Sequence, residues 1–149
     1  VGDGSEKPRL VELAQGVSTV RFLDSLPKRE IPEVVAAADA YAVTLRDLPL
    51  FQGAVPSKLY EAMSAAKPVV LAARGEAPAL LAEADAGLSV PPEDAPAFAE
   101  AVERLIRDPE MRARLGANGR RLVEDRYDRE KLVDRFETML KEITPHAIG

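Results

Sequence analysis

The sequence predicts one doubly wound α/β domain: a parallel sheet with helices on both faces and a helical C-terminal tail. Three observations predict it. Strand-like and helix-like segments alternate from Val17 to Val90, and a helix between successive strands is the connection that parallel strands require. The segments Ala40–Leu45 and Pro68–Ala73 are short and nearly all apolar, as strands are when both faces are covered. After Pro91-Pro92 the pattern is only helical.

In order, Val1 to Gly4 resembles a strand end followed by a tight turn. Glu6 to Gln15 predicts a helix, with Pro8 in its first turn, where a missing N–H does no harm. Ser18–Leu23 is β-branched at its start and alternates, so a strand is expected there. Ile31 to Ala38 carries apolar residues at helical spacing, again with a proline near the start. Ala40–Leu45 is the next strand. A polar loop with Gly and Pro, Arg46 to Pro56, leads to Ser57, which is expected to cap a helix running to about Ala66. Pro68–Ala73 is a strand, Arg74-Gly75-Glu76 a turn, Ala77–Ala84 a short helix and Gly87–Val90 a short strand. Asp94–Arg107, Pro109 to about Glu124, and Asp128–Ile143 are amphipathic helices.

Composition narrows the function. The chain has 149 residues, 46% hydrophobic and 30% charged, enough for a domain with a real core. Its net charge of -5 disfavours nucleic acid as a partner. With no Cys, disulfides and thiolate metal sites are excluded; His146 is the only histidine, so no His-based catalytic or metal centre is expected. No apolar run approaches the roughly 20 residues that span a bilayer. The abrupt start at Val1, without Met, reads as a piece of something longer.

In doubly wound sheets, ligands bind beyond the carboxyl ends of the strands. That rule selects four loops: 2–5, 24–27, 46–58 and 74–77. The third is the most informative. A loop bearing Gly53 and Pro56 runs into a helix that begins with Ser57 and Lys58. Free N–H groups at a helix start favour anions, and a hydroxyl and an ammonium beside them suit a diphosphate. Glu61 lies on the same face at i+4 from Ser57 and i+3 from Lys58, where a carboxylate can accept two hydrogen bonds from a ribose diol. The plainer alternatives are a capping serine, a solvated lysine and a first-turn acid opposing the helix dipole. Gly75 and Glu76 follow another strand end, where their amides either face a donor sugar or simply make a turn. Asp3 between two glycines reads as a turn. Arg46 and Asp47 read as solvated, and Arg112, Arg114, Arg120 and Arg121 with Glu110 and Glu124 read as a solvated helix face laced with ion pairs.

Pro56-Ser57-Lys58-Leu59-Tyr60-Glu61-Ala62-Met63-Ser64-Ala65-Ala66-Lys67-Pro68-Val69-Val70 resembles the signature stretch of family-4 glycosyltransferases, retaining enzymes of the GT-B fold. Val1–Gly4, Val20–Leu23, Ala36–Ala40 and Ala86–Pro92 resemble further blocks of the same family, so the likeness covers nearly the whole chain. It implies one Rossmann-like half of a GT-B fold, the C-terminal donor-binding domain, over residues 1–149, with its first strand and the N-terminal acceptor-binding domain missing. It implies transfer of a sugar from a nucleoside-diphosphate sugar, UDP-linked by expectation, to a glycan or lipid-linked acceptor. Glu61 would hold the ribose hydroxyls, Ser57 and Lys58 would lie by the diphosphate, and backbone around Asp24, Ser25 and Leu26 would meet the base. No metal or other cofactor is implied. A cytoplasmic location follows, with membrane association only through the missing part. A nucleotide-sugar epimerase of similar two-domain shape and a noncatalytic α/β module are the alternatives.

The chain departs from the family at two positions. Members often carry two glutamates with seven residues between them. Glu61 matches the second, but the first falls on Gly53. No catalytic residue is therefore assigned, and no turnover is expected of this chain alone. The Pro-Ser-Lys-Leu form resembles a branch of bacterial surface-polysaccharide transferases that also lack that acid. Ala66 stands where Gly is common, at a cost of roughly 1 kcal/mol if the backbone there is left-handed.

Overall fold

A computed structural model of the chain describes residues 1–143; His146 lies outside them. The described residues fall into two compact units, divided between Val34 and Val35.

The first unit holds helix α1, Lys7–Leu13, with Pro8 in its first turn as expected, and the start of α2, Ile31–Ala37. It contains no buried residue. The strand expected over Ser18–Leu23 is not formed. The segment is tied to the N-terminal stretch by one backbone bond, from the Gly2 N–H to the Leu23 carbonyl at 3.1 Å. Extended backbone becomes a strand only within a ladder of such bonds. Its apolar side chains Val20, Phe22 and Leu23 also remain exposed. The same single bond is all that the expected strand end at Val1–Gly4 makes of a ladder among the described residues.

The second unit contains a three-stranded parallel sheet in the order β1-β2-β3: Tyr41–Thr44, Val69–Ala72 and Gly87–Val90. The register is direct, with Thr44 opposite Ala72 and Ala72 opposite Val90. The crossovers are α3, Ser57–Ser64, and α4, Glu76–Ala84; α5, Ala95–Arg107, and α6, Pro109–Arg126, follow β3. Central β2 is buried along its whole length, which explains its uninterrupted apolar sequence. Its alternate side chains serve two cores. Val69 and Leu71 pack with Leu59, Met63 and Leu81 of α3 and α4. Val70 packs on the other side with Ala101 and Leu105 of α5 and Leu115 of α6. Helices thus cover both faces, as predicted.

Helix α6 can lie close because it carries glycines at the crossing. A Cβ on Gly116 would stand 2.1 Å from the Ala66 carbonyl, and one on Gly119 would stand 2.9 Å from Met63. Asp94 and Asp108 cap α5 and α6, accepting from the amides of Ala97 and Met111 at 3.0 and 2.8 Å. The charged face of α6 carries ion pairs, as expected: Arg114 bridges to Asp85, Arg120 to Glu124 at 2.7 Å, and Arg126 to Glu83. The last helix, α7, spans Arg129–Ile143 and buries no side chain.

Candidate functional site

Strands β1 and β2 are parallel neighbours, so the loops after Thr44 and Ala72 leave the sheet at the same edge. These loops carry the site residues expected in the second unit. The first loop continues the sheet hydrogen bonding briefly, with the Leu45 amide donating to the Ala72 carbonyl at 2.8 Å. It then makes a 3-10 turn over Pro49–Phe51 and reaches α3 through Gly53 and Pro56.

The two loops are fastened together. The Glu76 amide donates to the Gln52 carbonyl at 2.9 Å. Arg74 Nε donates to Asp47 Oδ2 at 3.0 Å. Gly75 has φ +84°, and a Cβ there would lie 1.9 Å from the Gln52 oxygen. Gly75 is therefore required by both its backbone angle and the space around it. The sequence alone does not reveal this tie: Asp47 reads as solvated there, and nothing marks Gln52. Only the pairing of an acid in one strand-end loop with Arg74 in the next hinted at it. The tie also corrects the expectation for Glu76: its amide is engaged by the Gln52 carbonyl and does not face a ligand.

At α3 the serine is displaced by one position from its expected role. Pro56 is the N-cap, with φ -67° and ψ 140°, and Ser57 is the first helical residue; no side chain caps this end. The reason lies in Pro56, whose ring favours the extended conformation of a cap and whose carbonyl accepts the Leu59 amide at 3.0 Å. Ser57 is thereby freed from capping. Ser57, Lys58 and Glu61 are all exposed, on one face of a helix whose other side, through Leu59, Ala62 and Met63, is fully buried. Among the described residues neither Lys58 nor Glu61 enters a salt bridge, although ten such pairs form elsewhere. The Glu61 charge reaches Tyr41, whose hydroxyl pKa is raised by burial first and by that carboxylate second.

Gly53 is exposed, its φ is outside the left-handed region, and nothing lies within 4 Å of where its Cβ would be. The absence of an acid here is not imposed by the backbone. Ala66, by contrast, has φ +53°, so the condition under which an alanine is costly there is met.

Asp24, Ser25 and Leu26 belong to the first unit. There the Lys7 ammonium bridges Asp3 Oδ1 at 2.8 Å and Asp24 Oδ1 at 2.6 Å, and lies 3.4 Å from the Leu23 carbonyl. The Ser25 amide donates to Asp3 Oδ2 at 3.2 Å. Asp3 is pushed below the ordinary carboxylate value by these bonds, the Lys7 one foremost, and Lys7 is pushed up by its bonds to Asp24 and then Asp3. The sequence placed Asp3 in a turn but gave no sign of this network, because its partners lie up to 22 positions apart. Among the described residues no group of three or more His, Asp or Glu side chains is placed to hold a metal ion. No helix among them is long and apolar enough to cross a membrane.

A parallel sheet covered on both faces, with ligand-type loops at one edge, defines a Rossmann-like α/β domain. Residues 1–122 match the family described as glycosyl transferases group 1, and the chain belongs to that family. It is 36% identical over 97 residues to a D-inositol 3-phosphate glycosyltransferase of Corynebacterium glutamicum, covering 65% of this chain and 22% of that protein. It is 32% identical over 144 residues to a GDP-mannose-dependent monoacylated alpha-(1-6)-phosphatidylinositol monomannoside mannosyltransferase of the same species, covering 95% and 38%. Among solved structures, the sucrose-phosphate synthase of Thermosynechococcus elongatus superposes with a TM-score of 0.79 at 25% identity, covering 97% of this chain and 36% of that one. The chain thus spans well under half the length of these relatives.

Proposed function

We propose that this chain is the donor-binding part of a retaining glycosyltransferase, which transfers a sugar from a nucleoside-diphosphate sugar to a glycan or lipid-linked acceptor. The observation that carries the reading is the start of α3. It has no side-chain cap, it follows a loop at the carboxyl end of a parallel strand, and it presents Ser57, Lys58 and Glu61 with no salt-bridge partner for either charge among the described residues. In this reading the α3 amides, Ser57 and Lys58 meet the diphosphate and Glu61 accepts from the ribose hydroxyls. Positive charge at the diphosphate serves catalysis as well as binding, because negative charge grows on the leaving group as the sugar departs. Pro56 and Gly53 shape the approach, and Gly75 with Glu76 borders the sugar from the next loop. The backbone of Asp24–Leu26 meets the base. The acceptor and its binding domain belong to the longer protein, and any contact with a membrane is made through that part.

Membership of the glycosyltransferase family supports the transferase reading over an epimerase, and none of the relatives named above is an epimerase. One relative is GDP-mannose-dependent by name, so both GDP and UDP are tested as donors' leaving groups. The test is calorimetric titration of the chain with UDP, GDP and sugars linked to each. Saturable binding of at least one nucleoside diphosphate is expected. Absence of binding to all of them contradicts the reading.

A further inference from the structure

We propose that Lys7 is a positioning residue: together with Asp3 it holds residues 23–25, the stretch that leads into Leu26, and so sets how the chain discriminates between nucleobases. This rests on the donor-site reading above, in which that backbone meets the base.

The geometry assigns the role by accounting for the ammonium. A lysine ammonium has three N–H donors and no acceptor. Lys7 Nζ has three oxygen neighbours: Asp3 at 2.8 Å, Asp24 at 2.6 Å and, more weakly, the Leu23 carbonyl at 3.4 Å. Its donors are thereby used. Lys7 also lines a groove of 670 Å³ together with Asp3, Gly4, Ser5, Pro8 and Val11, which would suggest a phosphate ligand. The charge balance argues otherwise, because two carboxylates already face one ammonium and a further anion would be repelled. Lys7 is a clamp, not a diphosphate ligand.

The clamp acts on one short stretch of chain. Lys7 grips Asp24 by its side chain and the preceding residue by its carbonyl. Asp3, held by Lys7, accepts the amide of Ser25 at 3.2 Å. Residues 23, 24 and 25 are thus each tied to the start of α1 or the turn before it. No buried apolar residue helps, since the first unit has none. The conformation of the stretch therefore depends on these polar contacts more than it would in a packed loop. Base discrimination through backbone groups needs those groups held in place, because ordering them at the moment of binding costs affinity.

The test uses Lys7→Met, with Asp3→Asn as a second variant that keeps the side-chain shape. UDP and GDP are titrated into each, and exchange of the Ser25 amide is followed by NMR. The ratio of UDP to GDP affinity is expected to collapse toward unity, by about ten-fold from its starting preference, and Ser25 is expected to exchange several-fold faster. If the unsubstituted chain binds nucleotide and neither variant changes the ratio, the inference is overturned while the donor-site reading stands. Equal weakening of UDP and GDP overturns it as well, since that is the signature of a lost phosphate contact. If the unsubstituted chain binds neither nucleotide, the donor-site reading falls and the inference with it.

Discussion

The backbone of Gly75 lies directly against the carbonyl of Gln52: a Cβ on Gly75 would stand 1.9 Å from that oxygen, and the following amide, Glu76, donates to it at 2.9 Å. The site loop after β1 is therefore seated on the start of α4. Gly75→Ala adds a clash with backbone that cannot move aside cheaply, and it adds strain at φ +84°. The substitution is expected to cost at least about 2 kcal/mol, read as a lowered urea midpoint. An unchanged midpoint would mean that the two loops are not held together.

Ala66 and Gly116 make an instructive pair. Ala66 has φ +53°, where a Cβ is strained, so Ala66→Gly is expected to stabilise the fold by roughly 0.5–1 kcal/mol. Gly116→Ala is expected to do the reverse and more, because the new methyl would meet the Ala66 carbonyl at 2.1 Å. A fall in midpoint on Ala66→Gly would contradict the left-handed angle there.

These contacts also show what the sequence could and could not disclose. β3 has the bounds that its composition indicated, and the helices after it begin where aspartates cap them, because capping and amphipathic spacing are local properties. The Gln52–Gly75 seat and the Arg74–Asp47 pair were not legible, because they join loops that only sheet pairing brings side by side. Ser18–Leu23 has the local pattern of a strand and lacks the ladder, which no local pattern can supply. Ser57 was legible as the start of a helix. The sequence could not show that Pro56 would take the cap and leave the serine free.

Gly53 yields a prediction of tolerance. Its surroundings are open and its backbone is ordinary, so Gly53→Glu, which introduces the acid often present in relatives of the resembling family, is expected to change stability by no more than about 0.5 kcal/mol. Thermal and urea unfolding of the variant check this. A large loss would show that the loop around Gly53 is more tightly closed than the structure describes.

The first unit is expected to respond to pH at both extremes. Asp3, whose ordinary value is 3.8, is lowered chiefly by its bond from Lys7. Its contribution is present above pH 3.8 and is lost as pH falls through the lowered value. Lys7, ordinarily 10.5, is raised chiefly by its bond to Asp24. Its contribution is present below pH 10.5 and is lost as pH rises through the raised value. Carbon-detected NMR titration of Asp3 Cγ and Lys7 Cε should place the two midpoints outside these ordinary values, and Lys7→Met should move Asp3 back up. An Asp3 midpoint at or above 3.8 in the unsubstituted chain would mean that the network does not hold in solution.

In the proposed function the start of α3 binds the ribose and diphosphate of the donor. Its most direct test is calorimetric titration of UDP and GDP into the unsubstituted chain, Glu61→Ala and Lys58→Ala at two salt concentrations. Glu61→Ala is expected to weaken the preferred nucleotide by about 1–3 kcal/mol, as loss of a charge-assisted hydrogen bond does. Lys58→Ala is expected to weaken it as well, by an amount that shrinks as salt rises, because a point charge on phosphate is screened. Tight nucleotide binding that neither substitution alters would place the donor site away from α3.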